Sequence, residues 1–165
     1  IQQEGKYENG LATGEWKWVY KNGKPLREET YLKGKENGYS KEYDEYGNII
    51  AEGEYAGGLK TGIWIYNNNE YVVKGCSYVD GLKDGVWKDY YKDGTLHFEG
   101  KYFEGNEEGE HKYYFGNGRI REIRNFSQGI PAGDWRFFDE DGLLILTITY
   151  AGGQEQKYDG IRVGQ

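Results

Sequence analysis

Cys76, His97 and His111 carry the side chains that most readily act as nucleophile, general base or soft metal ligand. A Cys–His pair could stabilise a thiolate, and a Cys/His cluster could hold zinc, which takes its ligands at short, fixed intervals. Steps of 21 and 14 residues do not have that form. The three read better as strand residues, and no metal or cofactor is expected. Carboxylates are more numerous: Glu28 and Glu29, Glu107 and Glu108, with Glu52 and Glu99 in equivalent places. Acid–base chemistry needs two carboxyl groups in one pocket with their pKa values pushed apart. Adjacent strand residues point to opposite faces, so Glu28 and Glu29 do not cooperate, and Glu52 lies ~20 Å from Glu99 by strand spacing. Solubility and protection of strand edges account for them better. "DEDG" (Asp139 to Gly142) resembles the opening of a calcium loop, but the following "LLILTITY" offers no ligand series ending in Glu, so a turn is expected. There is no G-x-S-x-G, H-E-x-x-H or phosphate-cradling glycine loop. No catalytic residue is nominated, and an enzyme is not expected.

The elements that position these residues must be built from an unusual composition. The 165 residues, the size of a single domain spanning 1–165, include 27 Gly, 17 Tyr, 6 Phe and 5 Trp, with only 36% hydrophobic. A thick aliphatic core cannot be filled, but aromatic rings can cover a thin sheet, and their number argues against disorder. The net charge of −7 and the absence of a basic run argue against nucleic acid and against an anionic membrane surface as partners. One cysteine permits no internal disulfide, and no apolar run reaches the ~20 residues of a membrane-spanning helix. The start "IQQEG", without Met, points to an exported or periplasmic protein with its leader removed, a cytoplasmic location being the alternative.

The glycines and aromatics fall in phase. A leading aromatic stands at Tyr7, Tyr31, Tyr55, Tyr78, Tyr102, Phe126 and Tyr150, in steps of 23 or 24. Three residues on comes Gly10, Gly34, Gly58, Gly81, Gly105, Gly129 and Gly153; seven on comes Gly14, Gly38, Gly62, Gly85, Gly109 and Gly133, failing at Lys157. Nine on comes Trp16, Ser40, Trp64, Trp87, His111 and Trp135. The chain is six repeats and a truncated seventh.

Within a repeat the period is two: "EWKWVY" puts Trp16, Trp18 and Tyr20 on one face and Lys17 and Val19 on the other. Asn22-Gly23, Asp93-Gly94, Asn117-Gly118 and Asp141-Gly142 mark tight hairpins, because these residues accept positive φ cheaply. The spaced glycines then reverse the chain into the next repeat. Each repeat is thus one β-hairpin, and the array is an elongated, twisted, antiparallel meander about 60 Å long at two strands per repeat. The third repeat lacks the Asn-Gly or Asp-Gly turn, and Gly75 is displaced by one residue, which predicts a changed turn and a bulge near Cys76. Gly53 and Gly100 would weaken their strands unless neighbouring aromatics cover them.

"GKYENGLATGEWKWVYKNGK" and "GLKTGIWIY" resemble the MORN (membrane occupation and recognition nexus) repeat, and more closely its bacterial variant, found in proteins classed as YwqK-type antitoxins. The resemblance covers roughly residues 5 to 153. It implies a β-hairpin array acting as an interaction module, transfers no catalytic residue, and in its antitoxin form implies a toxin partner. Ser40, His111 and Lys157 depart from the pattern. The expected function is a protein-interaction scaffold using a sheet face; the alternatives are an antitoxin and a glycan-binding protein with an aromatic row. The candidate binding residues are Trp16, Trp64, Trp87 and Trp135 with Tyr66 and Tyr91. The tryptophans are expected to be mainly structural, with exposed Tyr and charged neighbours contacting the partner.

Overall fold

The computed structural model describes residues 2–67 and 71–160. The altered turn expected in the third repeat falls on residues 68–70 and lies outside the described residues. The strand pairings that would reveal a bulge beside Cys76 lie outside them too.

The described residues form fifteen strands and no helix: β1 (Gln2–Glu8), β2 (Leu11–Val19), β3 (Pro25–Leu32), β4 (Lys35–Tyr43), β5 (Ile49–Ala56), β6 (Leu59–Asn67), β7 (Tyr71–Val79), β8 (Leu82–Tyr91), β9 (Leu96–Phe103), β10 (Asn106–Tyr114), β11 (Ile120–Ser127), β12 (Ile130–Pro131), β13 (Gly133–Phe138), β14 (Leu144–Ala151) and β15 (Gln154–Gly160). The hydrogen-bonded order is the chain order, with only β12 off the path, pairing β11. This is the all-β antiparallel meander that the two-residue period predicts. The chain divides into two compact units, Ile1–Asn69 with Gly75–Leu82, and Glu70–Lys74 with Lys83–Gln165.

Two kinds of turn alternate, and their chemistry differs from the sequence expectation. The tight two-residue hairpins are not at Asn22-Gly23 and its equivalents. They are at Asn9-Gly10, Lys33-Gly34, Gly57-Gly58, Asp80-Gly81, Glu104-Gly105, Gln128-Gly129 and Gly152-Gly153, where both central residues have positive φ (50° and 79° at Asn9-Gly10). That is the primed turn whose twist matches flanking strands. At Asn22-Gly23 only the glycine is left-handed (φ 81°). Gly23 N–H donates to Tyr20 O at 3.0 Å and Tyr20 N–H to Lys24 O at 2.9 Å. This is a type I turn closed by a glycine bulge, and Asn22 serves it by accepting from Lys24 N–H at 3.0 Å rather than by adopting positive φ.

The primed turns are also tied to one another. Gly34 N–H donates to Ala12 O and Gly58 N–H to Glu36 O, one repeat back, at 2.9 and 2.8 Å. Gly105 to Lys83 and Gly129 to Glu107 repeat the bond at 2.8 and 2.9 Å.

The second spaced glycine opens a bulge that aims the tryptophan. Glu4 pairs with Lys17 and Lys6 with Thr13, so Gly14, Glu15 and Trp16 stand opposite Gly5 alone. Gly62, Ile63 and Trp64 stand likewise opposite Gly53, and Gly109, Glu110 and His111 opposite Gly100. Extra residues bend the strand and turn a side chain back over its partner. A Cβ on Gly5, Gly53 or Gly100 would lie 2.1 Å from Trp16, 2.3 Å from Trp64 or 2.7 Å from His111. The strand glycines are thus the seats of the rings, and the aromatic cover expected over Gly53 and Gly100 is present.

Candidate interaction surface

Register puts two kinds of row on the two faces. One face carries the rings. In unit 1 Trp16 meets Tyr7 edge-on at 5.0 Å and stacks with Trp18 at 5.9 Å, and Trp64 repeats both contacts with Tyr55 at 5.1 Å and Tyr66 at 5.8 Å. In unit 2 His111 takes the Trp position without breaking the row: it lies 5.5 Å from Phe98, 5.2 Å from Tyr102 and 5.0 Å from Phe126. Its Nε2 is 2.8 Å from Lys101 O, the counterpart of the Trp64 indole N–H donating to Glu54 O at 3.1 Å and of Trp135 donating to Asn125 O at 2.9 Å. Burial pushes the His111 pKa below its ordinary value.

Ser40 is accommodated by an exchange of sizes. Glu29 stands at the position that Gly5, Gly53 and Gly100 hold in their repeats and pairs directly with Ser40; both are buried. Burying a carboxylate is costly unless it is paired, and Glu29 accepts from Arg27 Nη1 at 3.1 Å and from the Tyr31 hydroxyl at 2.8 Å. Burial and that hydrogen bond push the Tyr31 pKa well above its usual range.

The opposite face carries charge in alternation. Glu4 pairs with Lys17, Lys17 with Glu28, Glu28 with Lys41 and Lys41 with Glu52. In unit 2 Glu99 lies between Lys88 and Lys112. Opposite charges directly across strands stabilise by about 0.2–1 kcal/mol per pair. Tyrosines brace the acids: Tyr43 donates to Glu28, Tyr39 to Glu52 and Tyr114 to Glu99 at 2.8–2.9 Å. Burial and the Glu28 contact raise the Tyr43 pKa to about 12. Glu28 and Glu29 do face opposite ways, one in this row and one buried among the rings.

Trp16, Trp64 and Trp87 are 5%, 3% and 7% exposed, whereas Trp135 is half-buried. Tyr66 and Tyr91 are half-buried, the latter donating to Tyr114 O at 2.9 Å. The six residues therefore do not form one exposed row. Cys76 is buried, and His97 lies edge-on to Tyr91 at 4.8 Å, apart from the ring cluster of His111. Asp139 Oδ1 accepts from the N–H groups of Asp141 and Leu143 in its own turn. The sequence reading missed two lysines lodged on the rings. Lys60 Nζ lies 4.1 Å from the Trp64 centroid and Lys83 Nζ 3.9 Å from that of Trp87. Their signal was the shared stretch L-K-x-G-x-W in "GLKTGIW" and "GLKDGVW".

Each strand pair closed by a type I turn is therefore one unit of sequence and of structure. Three of them match the family model of the MORN repeat variant, over residues 12–33, 83–104 and 107–128. Each match runs from the fifth residue after the leading aromatic to the next primed turn, which covers β2–β3, β8–β9 and β10–β11. MORN repeats are commonly protein-interaction scaffolds and generally non-enzymatic. Among curated proteins, none matches the chain.

Proposed function

We propose that the protein is a non-enzymatic scaffold that binds another protein through the charged face of its sheet. The observation that carries this reading is the exposure of Ile63 (66%) and Ile65 beside the charge row of unit 1, with Tyr39 exposed two strands away. Aliphatic side chains on an open sheet face have no packing role, and an apolar centre rimmed by charge is the composition of a binding surface. The ring face offers less: Trp16 and Trp64 are seated on Gly5 and Gly53, and Trp87 is buried. Burial of Trp16, Trp64 and Trp87 also speaks against a glycan platform on the Trp positions. The antitoxin role is a special case of the same reading and requires a toxin as the partner.

The test is photocrosslinking from position 63 in an extract of the native organism, followed by mass spectrometry. One protein should be captured, and Ile63→Glu should abolish its retention without shifting the unfolding transition. Retention unchanged by Ile63→Glu would move the site off this face.

A further inference from the structure

The lysine on Trp64 shows what the ring frame of a repeat can hold. There Trp64 meets Tyr55 at 82°, Tyr66 at 24° and Tyr78 at 76°. The Lys60 ammonium is 4.1, 5.0 and 5.5 Å from the centroids of Trp64, Tyr66 and Tyr78, and donates to the Tyr66 hydroxyl at 2.7 Å. The first repeat builds the same frame: Trp16 meets Tyr7 at 84°, Trp18 at 29° and Tyr31 at 62°, with centroids 5.0, 5.9 and 6.0 Å away. Two substitutions distinguish it, and they go together. Ala12 stands where Lys60 stands, removing the resident cation. Trp18 stands where Tyr66 stands, removing the oxygen that accepted the ammonium's hydrogen bond. The fourth repeat keeps both kinds of group, with Lys83 on Trp87 and Asp89, two residues on, feeling its charge.

With Trp18 in place of a tyrosine, and the Tyr31 hydroxyl already donating to Glu29, an ammonium seated on Trp16 would lose the bond that Lys60 makes to Tyr66, and each unpaired N–H costs its desolvation. Fully methylated ammonium groups have no N–H to satisfy, and stacks of aromatic rings hold them by cation–π attraction. We propose that the ring frame of the first repeat is a binding slot for a trimethylated lysine side chain, its alkyl stem running past Ala12 and its head on Trp16 as the Lys60 ammonium lies on Trp64. This rests on the protein-interaction reading only for the source of the lysine. Field and access suit the ligand. Arg27 lies over Trp18 at 5.6 Å but is paired with the buried Glu29, and Glu36 adds a further carboxylate 3.4 Å from the Tyr31 hydroxyl. Trp16 is nearly closed off, so the incoming head must turn Tyr7 aside. That ring is 66% exposed and meets Trp16 edge-on at 5.0 Å.

The experiment uses small probes and no partner, so its failure is separate from any failure of the Ile63 surface. The whole protein is titrated with N-acetyl-trimethyllysine amide, N-acetyl-lysine amide and choline, while the indole resonances of Trp16 and Trp18 are followed by NMR. The trimethyllysine probe should shift both resonances saturably and bind about tenfold more tightly than the unmethylated probe. Ala12→Lys should fill the slot and abolish the response with folding intact, and Trp18→Tyr should narrow the tenfold difference by restoring an acceptor. Equal or tighter binding of unmethylated lysine overturns the proposal, as does the absence of a saturable shift. Choline binding as tightly as trimethyllysine shows that the stem contributes nothing and overturns the lysine assignment. A response that survives Ala12→Lys overturns the site.

Discussion

At the residue scale the protein is organised by pairs that share one volume. Trp64 and Gly53 are one such pair, and its two halves predict non-additive energetics. Trp64→Ala removes a buried ring and should cost about 3–5 kcal/mol in denaturant titration. Gly53→Ala puts a Cβ where the ring lies and should cost about 1–3 kcal/mol alone. In the Trp64→Ala background that second cost should vanish, because the space is then vacant; simple addition of the two costs would show that the pair does not share it. Glu29 and Ser40 obey the same rule in reverse, the larger group having crossed to the other strand. His111 adds a dependence on pH. Its folded pKa lies below the ordinary 6.5, so the unfolded chain binds the proton more readily, and stability contributed at neutral pH is lost as pH falls through 6.5. His111→Trp should remove that component, read as a smaller drop in melting temperature between pH 7 and pH 5 than in the parent.

At the scale of elements the decisive feature is the alternation of two turn types. The glycine phasing was legible in the sequence, and so were the hairpins. Which hairpins were primed was not, because Asn-Gly serves both geometries: Asn9-Gly10 uses positive φ at both positions, Asn22-Gly23 at only one. The asymmetry shows in the residue before each phased glycine. Lys33 and Gln128 hold φ of 51°, which costs an ordinary side chain energy that Asn largely avoids. Lys33→Asn should therefore stabilise by about 0.5–1 kcal/mol in thermal or denaturant unfolding, whereas Gly81→Val, at φ 79°, should destabilise by about 1–3 kcal/mol. Strand faces were legible from the period of two. The lysines on the rings were not, because they reach over a bulge that carries Lys60 past its strict alternation.

At the scale of the whole molecule the described strands pair in chain order, β11 reaching β13 past the two-residue β12. Stability should then be a sum of repeat terms and neighbour terms rather than one global quantity. Trp64→Ala should speed hydrogen exchange in β5, β6 and the adjoining strands of unit 1, while amides of β13 and β14 in unit 2 keep the parental rate. Equal acceleration everywhere would mean that the units unfold as one. The scaffold was readable from composition and phase together, since an array so poor in aliphatics can be held only by rings. The candidate surface was not, because Ile63 and Ile65 carry no mark in sequence that separates an exposed isoleucine from a packed one.

The bond from the primed-turn glycine of each repeat after the first to the carbonyl one repeat back has a consequence for inheritance. Each repeat supplies one donor and one acceptor to this line, so an in-frame duplication of a 24-residue unit inserts a link already matched on both sides. Deletion of a unit heals in the same way. Copy number is therefore a trait that unequal recombination can alter at little structural cost, whereas a slip of one residue would strand every ring on the wrong face. Descendants of such a gene should differ in length by whole repeats and seldom by fractions of one.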